Sequence, residues 1–298
     1  MTNFSDYPIT VDGVRLDDLA KGVEAASFTL GGLRVADTLL AGLDGVVASL
    51  HDARDSSSLS LSMFVRGTDE DGLVPVGRDG QAVYQENLDS LRHLFAKTGT
   101  LLDVRVVVDP DTSPASDRQA YAKVVDSITP EDHPGDVGRL GVVLHLPGVY
   151  WRSAADATWT SPAVVSGTAY AITDLEGSSA PVDDAVLCLV GPANAGVKIT
   201  DVATGAFVRL NEALPAGSAW RVNCDTWESR VGVGLTVNSA DTAGTDKSGV
   251  TDQGGGYPRW LRLNPRVDGA VRKVKASVVG GGFTGATVLT VKARKAFL

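Results

Sequence analysis

Period-two alternation of apolar and polar residues dominates this chain. Ile9, Val11 and Gly13 alternate with polar neighbours, and Phe28 and Leu30 do so around Thr29. Leu102, Val104, Val106 and Val108 share one face of the stretch 101–108. Leu140, Val142, Leu144 and Leu146 share another, with Gly141, Val143 and His145 opposite. Segments of this kind, rich in β-branched residues and bounded by Gly, Pro and Asp, predict half-buried β-strands. The opening run Tyr7–Val47 fits the same description: a short strand, a turn at Gly13, a second strand ending in Gly31-Gly32, and an apolar run closed by Asp44-Gly45.

One segment has a different period. From Gln85 to Lys97, Leu88, Leu91 and Phe95 fall at helical spacing, with Tyr84 and Leu94 flanking the stripe. Asn87 is the expected N-cap and Gly99 the expected stop, and the apolar face is expected to lie on the strand at 101–108. The stretch RQAYAKVVDSI at 118–128 fits both periods: Tyr121, Val124, Val125 and Ile128 match a helix, while Ala120, Ala122 and Val124 alternate as in a strand. SSSLSLS at 56–62 reads as a loop running into a strand.

A boundary is expected near Leu146-Pro147-Gly148-Val149-Tyr150-Trp151, giving domains over 1–147 and 148–298. Beyond it the helical signal ends, and short strands are expected at 170–173, 185–190, 196–200, 206–210, 219–223, 231–237, 260–263, 273–279 and 286–292. Strands at this spacing with no helices between them predict a β-sandwich or barrel. VKITDVATGAFVRL is the clearest hairpin, with Ala203-Thr204-Gly205 at its tip.

Composition narrows the class. At 298 residues, with 43% hydrophobic and 21% charged residues, the chain can form two folded domains. No apolar run approaches a membrane span. MTNFSDYP has neither the basic nor the apolar region of a secretory signal, so synthesis and folding in a cytoplasm are expected. The two cysteines, Cys188 and Cys224, are read as packed free thiols, with a disulfide as the alternative.

Charge is uneven: residues 1–145 carry 12 Lys+Arg against 23 Asp+Glu, a net −11, and residues 146–298 carry 15 against 13, a net +2. An acidic chain is a poor candidate for nucleic-acid binding, which needs cations to neutralise phosphates. Towards the C-terminus Arg266, Arg272, Lys273, Lys275, Lys292, Arg294 and Lys295 stand against Asp268. That basic segment is either a solvated face or the complement of an acidic neighbour, such as the first half of another copy.

Taken in order, YPITVDGVRLDDL, SFTLGGLRV, LAGLDGVV, the Leu88–Phe95 helix followed by VRVVV, LHLPGVYW, GPANAGVKITDVATGAFVRL and LPAGSAWRVNCDTWESRV resemble the distal tail proteins, minor tail proteins of long-tailed siphophages. The resemblance spans most of the chain and rests on order and spacing. It implies a mainly β protein, with an N-terminal split β-barrel domain carrying one α-helix and a C-terminal galectin-like β-sandwich. It also implies a structural virion protein: a hexameric homo-oligomeric ring between the tail tube protein and the other tail-tip or baseplate proteins, located in the phage tail tip. In that frame 118–128 becomes a strand. The stretches 109–117 and 240–258 have no counterpart and are read as candidate contacts with partners.

Candidate chemistry is sparse. His51, His93, His133 and His145 show no metal-ligand spacing, and no G-x-S-x-G elbow occurs. Asp69-Glu70-Asp71-Gly72 and Asp109-Pro110-Asp111 lack the spacing of a calcium loop and read as turns. GTDKSG at 244–249 has Asp246 where a phosphate loop needs glycine. No catalytic, cofactor or metal residue is therefore assigned, and the chain reads as a non-enzyme. The alternative is a carbohydrate-binding sandwich that contributes to recognition of the host surface. Trp220 and Trp260 sit within apolar alternation and read as core. Trp227 and Tyr257 sit in turns and are the candidate carbohydrate or partner contacts.

Overall fold

The computed structural model describes residues 8–34, 53–97, 99–108, 117–126, 130–133, 136–255 and 261–298. The chain divides into two units, Met1–Ala154 and Ala155–Leu298. In the first unit the elements run β1 Ile9–Val11, β2 Val14–Arg15, β3 Lys21–Thr29, β4 Leu33–Arg34, β5 Ala53–Arg54, β6 Ser57–Arg66, α1 Gly80–Phe95, β7 Leu102–Val107, β8 Asp117–Val124, β9 Pro130–His133, β10 Val137–Leu146 and β11 Trp151–Ser153.

Alternation sets the core of this unit. β6 already begins at Ser57, inside the serine-rich stretch expected to be partly loop, and it places Leu59, Leu61, Met63 and Val65 inward. Each fully buried side chain of this size contributes about 1.5–3 kcal/mol of transfer free energy. β6 pairs antiparallel with β10 along its whole length, from Ser57 opposite Leu146 to Arg66 opposite Val137, and its other edge takes β3. A second ladder runs β2-β1-β7-β8, with β11 on β8. The two ladders meet between β8 and β10 at only two residue pairs, Leu144 opposite Val124 and His145 opposite Lys123. This narrow seam joins the two ladders into one sheet.

The structure resolves the ambiguity at 118–128: residues up to Val124 are strand, with Ala120 and Ala122 buried and Tyr121 exposed. Period two wins because alanines fit inward beside Val104 and Leu102 of the neighbouring β7.

The helix lies where expected but starts earlier, at Gly80, after an Asp79 that makes no side-chain cap. Asn87 is not its cap. It sits mid-helix, and its amide donates to the carbonyls of Arg66 and Thr68 at 2.8 and 2.9 Å, tying α1 to the end of β6. The buried stripe of Val83, Tyr84, Leu88, Leu91, Leu94 and Phe95 lies against β6 rather than chiefly on the strand that follows the helix. At the far end of β6, the buried Ser57 hydroxyl donates to the Val149 carbonyl at 2.7 Å and accepts from Gly31 N–H at 3.2 Å, fixing the Pro147–Trp151 corner.

The second unit contains β12 Ala157–Thr160, β13 Ala169–Ala171, β14 Val186–Val190, β15 Val197–Asp201, β16 Phe207–Leu210, β17 Ser218–Asn223, β18 Glu228–Val233, β19 Thr245–Asp246, β20 Thr251–Gly254, β21 Pro265–Asp268, β22 Val271–Val279, β23 Val288–Ala293 and β24 Ala296–Phe297. Two antiparallel sheets form the sandwich, ordered β12-β23-β14-β17-β18-β19 and β13-β22-β15-β16-β20, with β21 added to β22. The β15–β16 hairpin is as expected, and Asp201 closes its tip by accepting from Thr204 N–H and Thr204 Oγ1.

Three expectations are corrected here. The strand expected over 231–237 ends at Val233, because Gly234 takes a left-handed turn (φ +71°). Leu235 and Val237 then fold back over Cys188 and Ala219. This second cover explains why β17 is buried at all six positions instead of alternating. Residues 261–263 form no strand: Leu263 only bridges Val182, through two 2.9 Å hydrogen bonds. The stretch 240–255, read as a loop, supplies β19 on β18 and β20 on β16.

Candidate functional site: an exposed apolar loop and an exposed tryptophan

The most distinctive surface of the first unit is the segment 67–79 between β6 and α1. Its ends are pinned by close approach, since a Cβ at Gly67 would lie 2.2 Å from the Gly80 carbonyl oxygen. Asp69, expected to mark a turn, does so by accepting from the N–H groups of Asp71 and Leu73 at 3.1 and 2.9 Å, while Asp69 N–H donates to the Leu73 carbonyl. Its carboxylate is spent on its own loop. Pro75–Arg78 then forms a type II turn, with Arg78 N–H on the Pro75 carbonyl at 3.0 Å and Gly77 at φ +77° in the position that requires it. An ion pair between Arg78 and Glu86 joins the turn to the helix.

This scaffold turns apolar residues outward. Leu73 and Val74 are exposed, Val76 at the turn is as open as a side chain can be (104%), and Leu19 beside Gly72 is also exposed. Exposed apolar residues grouped on one hydrogen-bonded loop make this segment a candidate contact surface. Nothing in the alternation pattern singled it out, because LVPV is too short and too interrupted by proline to read as an element.

In the second unit, Trp227 occupies the turn between β17 and β18, where sequence placed it. It is half exposed (49%) and sits at φ +64°, a left-handed conformation unusual for a bulky residue. Beside it Asn223 Oδ1 accepts from Asp225 and Thr226 N–H, and Asp241 accepts from Arg221 Nη1, Asn223 Nδ2 and Thr226 Oγ1. Partial burial alone would raise the Asp241 carboxyl. The hydrogen bonds from Asn223 and Arg221, the Arg221 charge and Thr226 together hold it below the usual carboxylate range. Asp241, in a stretch read as a partner contact, is thus a strut of the turn. The other candidate, Tyr257, lies outside the described residues, as does Trp260. Trp220 is core, and its indole N–H donates to Ser229 Oγ at 2.8 Å.

The remaining candidates carry no assembled chemistry. Cys188 and Cys224 are free and buried. Burial pushes the Cys188 thiol up to about 11, slightly offset by Arg221, and burial raises Cys224 further, helped by nearby carboxylates. His93 is exposed on α1, while His51 and the stretch Asp109-Pro110-Asp111, read as a turn from the sequence, lie outside the described residues. Among the described residues no group of three His, Cys, Asp or Glu could hold a metal ion. Among them too, no helix is long and apolar enough to cross a membrane. In GTDKSG, Thr245 and Asp246 form β19, and Asp246 accepts from Ser248 N–H where the chain turns away from that strand.

No protein-family model and no curated protein sequence matches the chain. Among solved structures, the chain aligns with the phage p2 baseplate in its activated conformation with Sr (TM-score 0.38, 9% identity, 96% of this chain and 97% of that chain). It also aligns with the phage P2 baseplate in its activated conformation with Ca (TM-score 0.35, 8% identity, 98% of each). The likeness to the crystal structure of the SPP1 Dit (gp 19.1) protein is stronger, at TM-score 0.56 and 13% identity over 98% of this chain and 99% of that one. That structure is described as a paradigm of the hub adsorption apparatus in phages infecting Gram-positive bacteria. From one end to the other, this chain has the mainly β fold of the SPP1 Dit protein.

Proposed function

We propose that this chain is a structural protein of a phage tail: an adaptor that assembles as a hexameric ring between tail tube and tail tip, resident in the virion and without catalytic activity. The observation that carries the reading is the full-length likeness to SPP1 Dit, a hub protein, covering both units in order. The exposed loop 67–79 supplies a contact of the kind such a role needs. A ring built from one chain uses head-to-tail contacts, in which two different faces of each copy meet. Leu73, Val74 and Val76 would each contribute about 1.5–3 kcal/mol if fully covered by the next copy. The work of such a protein is geometric, which agrees with carboxylates that serve turns and ion pairs. Light scattering on the purified chain tests the reading: a six-copy species lost in Val76→Asp supports it, and a monomer at every concentration opposes ring formation by the chain alone.

A second reading has one observation in its favour, the half-exposed Trp227 beside a polar network. Here the sandwich binds carbohydrate on the host surface. A glycan array decides it, with binding expected to vanish in Trp227→Ala while the fold persists.

A further inference from the structure

The second unit holds a cleft of about 240 Å³ that neither reading above uses. It opens where β22 changes partners. Residues 276–279 pair with β15, but from Val274 backwards β22 pairs with β21 instead. The departing β15–β16 tip, at Ala203, and the arriving strand, at Asn264, form the two walls. Behind the lining, the buried carboxylate of Asp201 holds the Asn264 wall, accepting from Asn264 N–H and Nδ2 at 3.2 and 3.1 Å as well as from Thr204.

The strand register gathers charge at this cleft. Arg266 lies directly opposite Lys273 in the β21–β22 ladder, and Lys275 follows on the same face of β22. Like charges directly opposed across a ladder are destabilising. The cleft's one carboxylate, Asp268, pairs with Lys275 at 2.7 Å and more distantly with Lys273 at 3.7 Å. Those lysines hold the Asp268 carboxyl below its usual range. The Arg266 side chain makes no hydrogen bond or ion pair among the described residues. Three cations therefore surround one anion, in a protein whose net charge is −9.

We infer that this cleft binds an acidic segment of a partner protein, seating its carboxylates between Arg266, Lys273 and Lys275. Size and charge select that occupant. At 240 Å³ the cleft falls below the roughly 300–1,000 Å³ of sites that enclose a whole small molecule, and it suits one or two side chains. Exposed Val267 and Val271 on the same hairpin offer apolar contact beside the charges. A long polyanion needs a run of cations longer than the three gathered here, whereas a short acidic segment engages only the cleft. The inference does not depend on ring assembly.

The test is a titration of the full-length protein with a capped hexaglutamate peptide at low ionic strength, with tripolyphosphate, a dT12 oligonucleotide and a capped hexalysine peptide as comparison ligands. The peptide is expected to bind, with affinity falling as salt rises, and to lose at least tenfold in Arg266→Ser/Lys273→Ser. Lys123→Ser, in the first unit, should leave affinity unchanged. Because Arg266→Ser removes an opposed like-charge pair, the unfolding midpoint should hold or rise, which shows that lost binding is not lost folding. Absence of binding, equal binding by the double variant, or binding of tripolyphosphate or dT12 in preference to the peptide would overturn the inference. So would self-association that requires Arg266, since the occupant would then be a second copy.

Discussion

Arg221 Nη1 donates to Asp241 Oδ1 at 2.6 Å across very different surroundings: the Arg221 side chain is 5% exposed and that of Asp241 33%. The buried partner depends on the exposed one, and Arg221 Nε has no hydrogen bond of its own. Asp241→Ala therefore leaves a buried guanidinium without its counter-charge. We expect a loss of about 2–4 kcal/mol in chemical denaturation, below the full cost of breaking a wholly buried pair because Asp241 touches water.

The same pair gives a pH dependence. The folded-state pKa of Asp241 is lowered, so its contribution is complete above the unfolded value near 4 and is lost as pH falls through the lower folded value. Wild-type denaturation midpoints should fall below about pH 4. The difference between wild type and Asp241→Ala should shrink over that same window.

Backbone approach at the root of the exposed loop predicts a sharp contrast between two glycines. A Cβ at Gly67 would meet the Gly80 carbonyl oxygen at 2.2 Å, whereas one at Gly141, on β10, meets nothing within 4 Å. Gly67→Ala should cost about 2–4 kcal/mol through displacement of the loop and the helix start, and Gly141→Ala about 0.5 kcal/mol or less in either direction. Thermal unfolding of the two variants checks this.

Thiol chemistry offers a further check. Attack on a disulfide reagent needs thiolate and access, and both cysteines are buried with raised pKa values, Cys188 to about 11. Neither should react with such a reagent at pH 8 in the native protein, and both should react at once in denaturant.

How much of this could be read from the chain alone varied with the physics involved. Regular alternation, as in Leu102–Val106 and Leu140–Leu146, gave strands that the structure reproduces, because one buried face imposes period two. The start of α1 was hidden: Gly80 to Ala82 carry no apolar stripe and Asp79 makes no cap, while Asn87 resembles a cap but spends its amide on Arg66 and Thr68. The folding back of Leu235 and Val237 was equally invisible, since only the tertiary fold reveals that β17 has two covered faces. Trp227 was legible as a turn residue and Trp220 as core. The outward aim of Leu73, Val74 and Val76 was not, because it comes from a frame of loop hydrogen bonds. Nor was the opposition of Arg266 and Lys273, which only the register of β21 on β22 creates.

The apolar loop makes a prediction about assembly. Val76→Asp places a charge on the most exposed large apolar side chain among the described residues. We expect an unfolding midpoint within about 0.5 kcal/mol of wild type, together with loss of higher oligomers in light scattering. An unaltered oligomer would remove loop 67–79 from the interface.

Electron microscopy of tails assembled with and without this chain tests the proposed role as a structural ring of a phage tail. With the chain present, six copies should encircle the tail axis at the end of the tube. Without it, tails should lack their tips. Intact tips on tails that lack this chain would rule that role out.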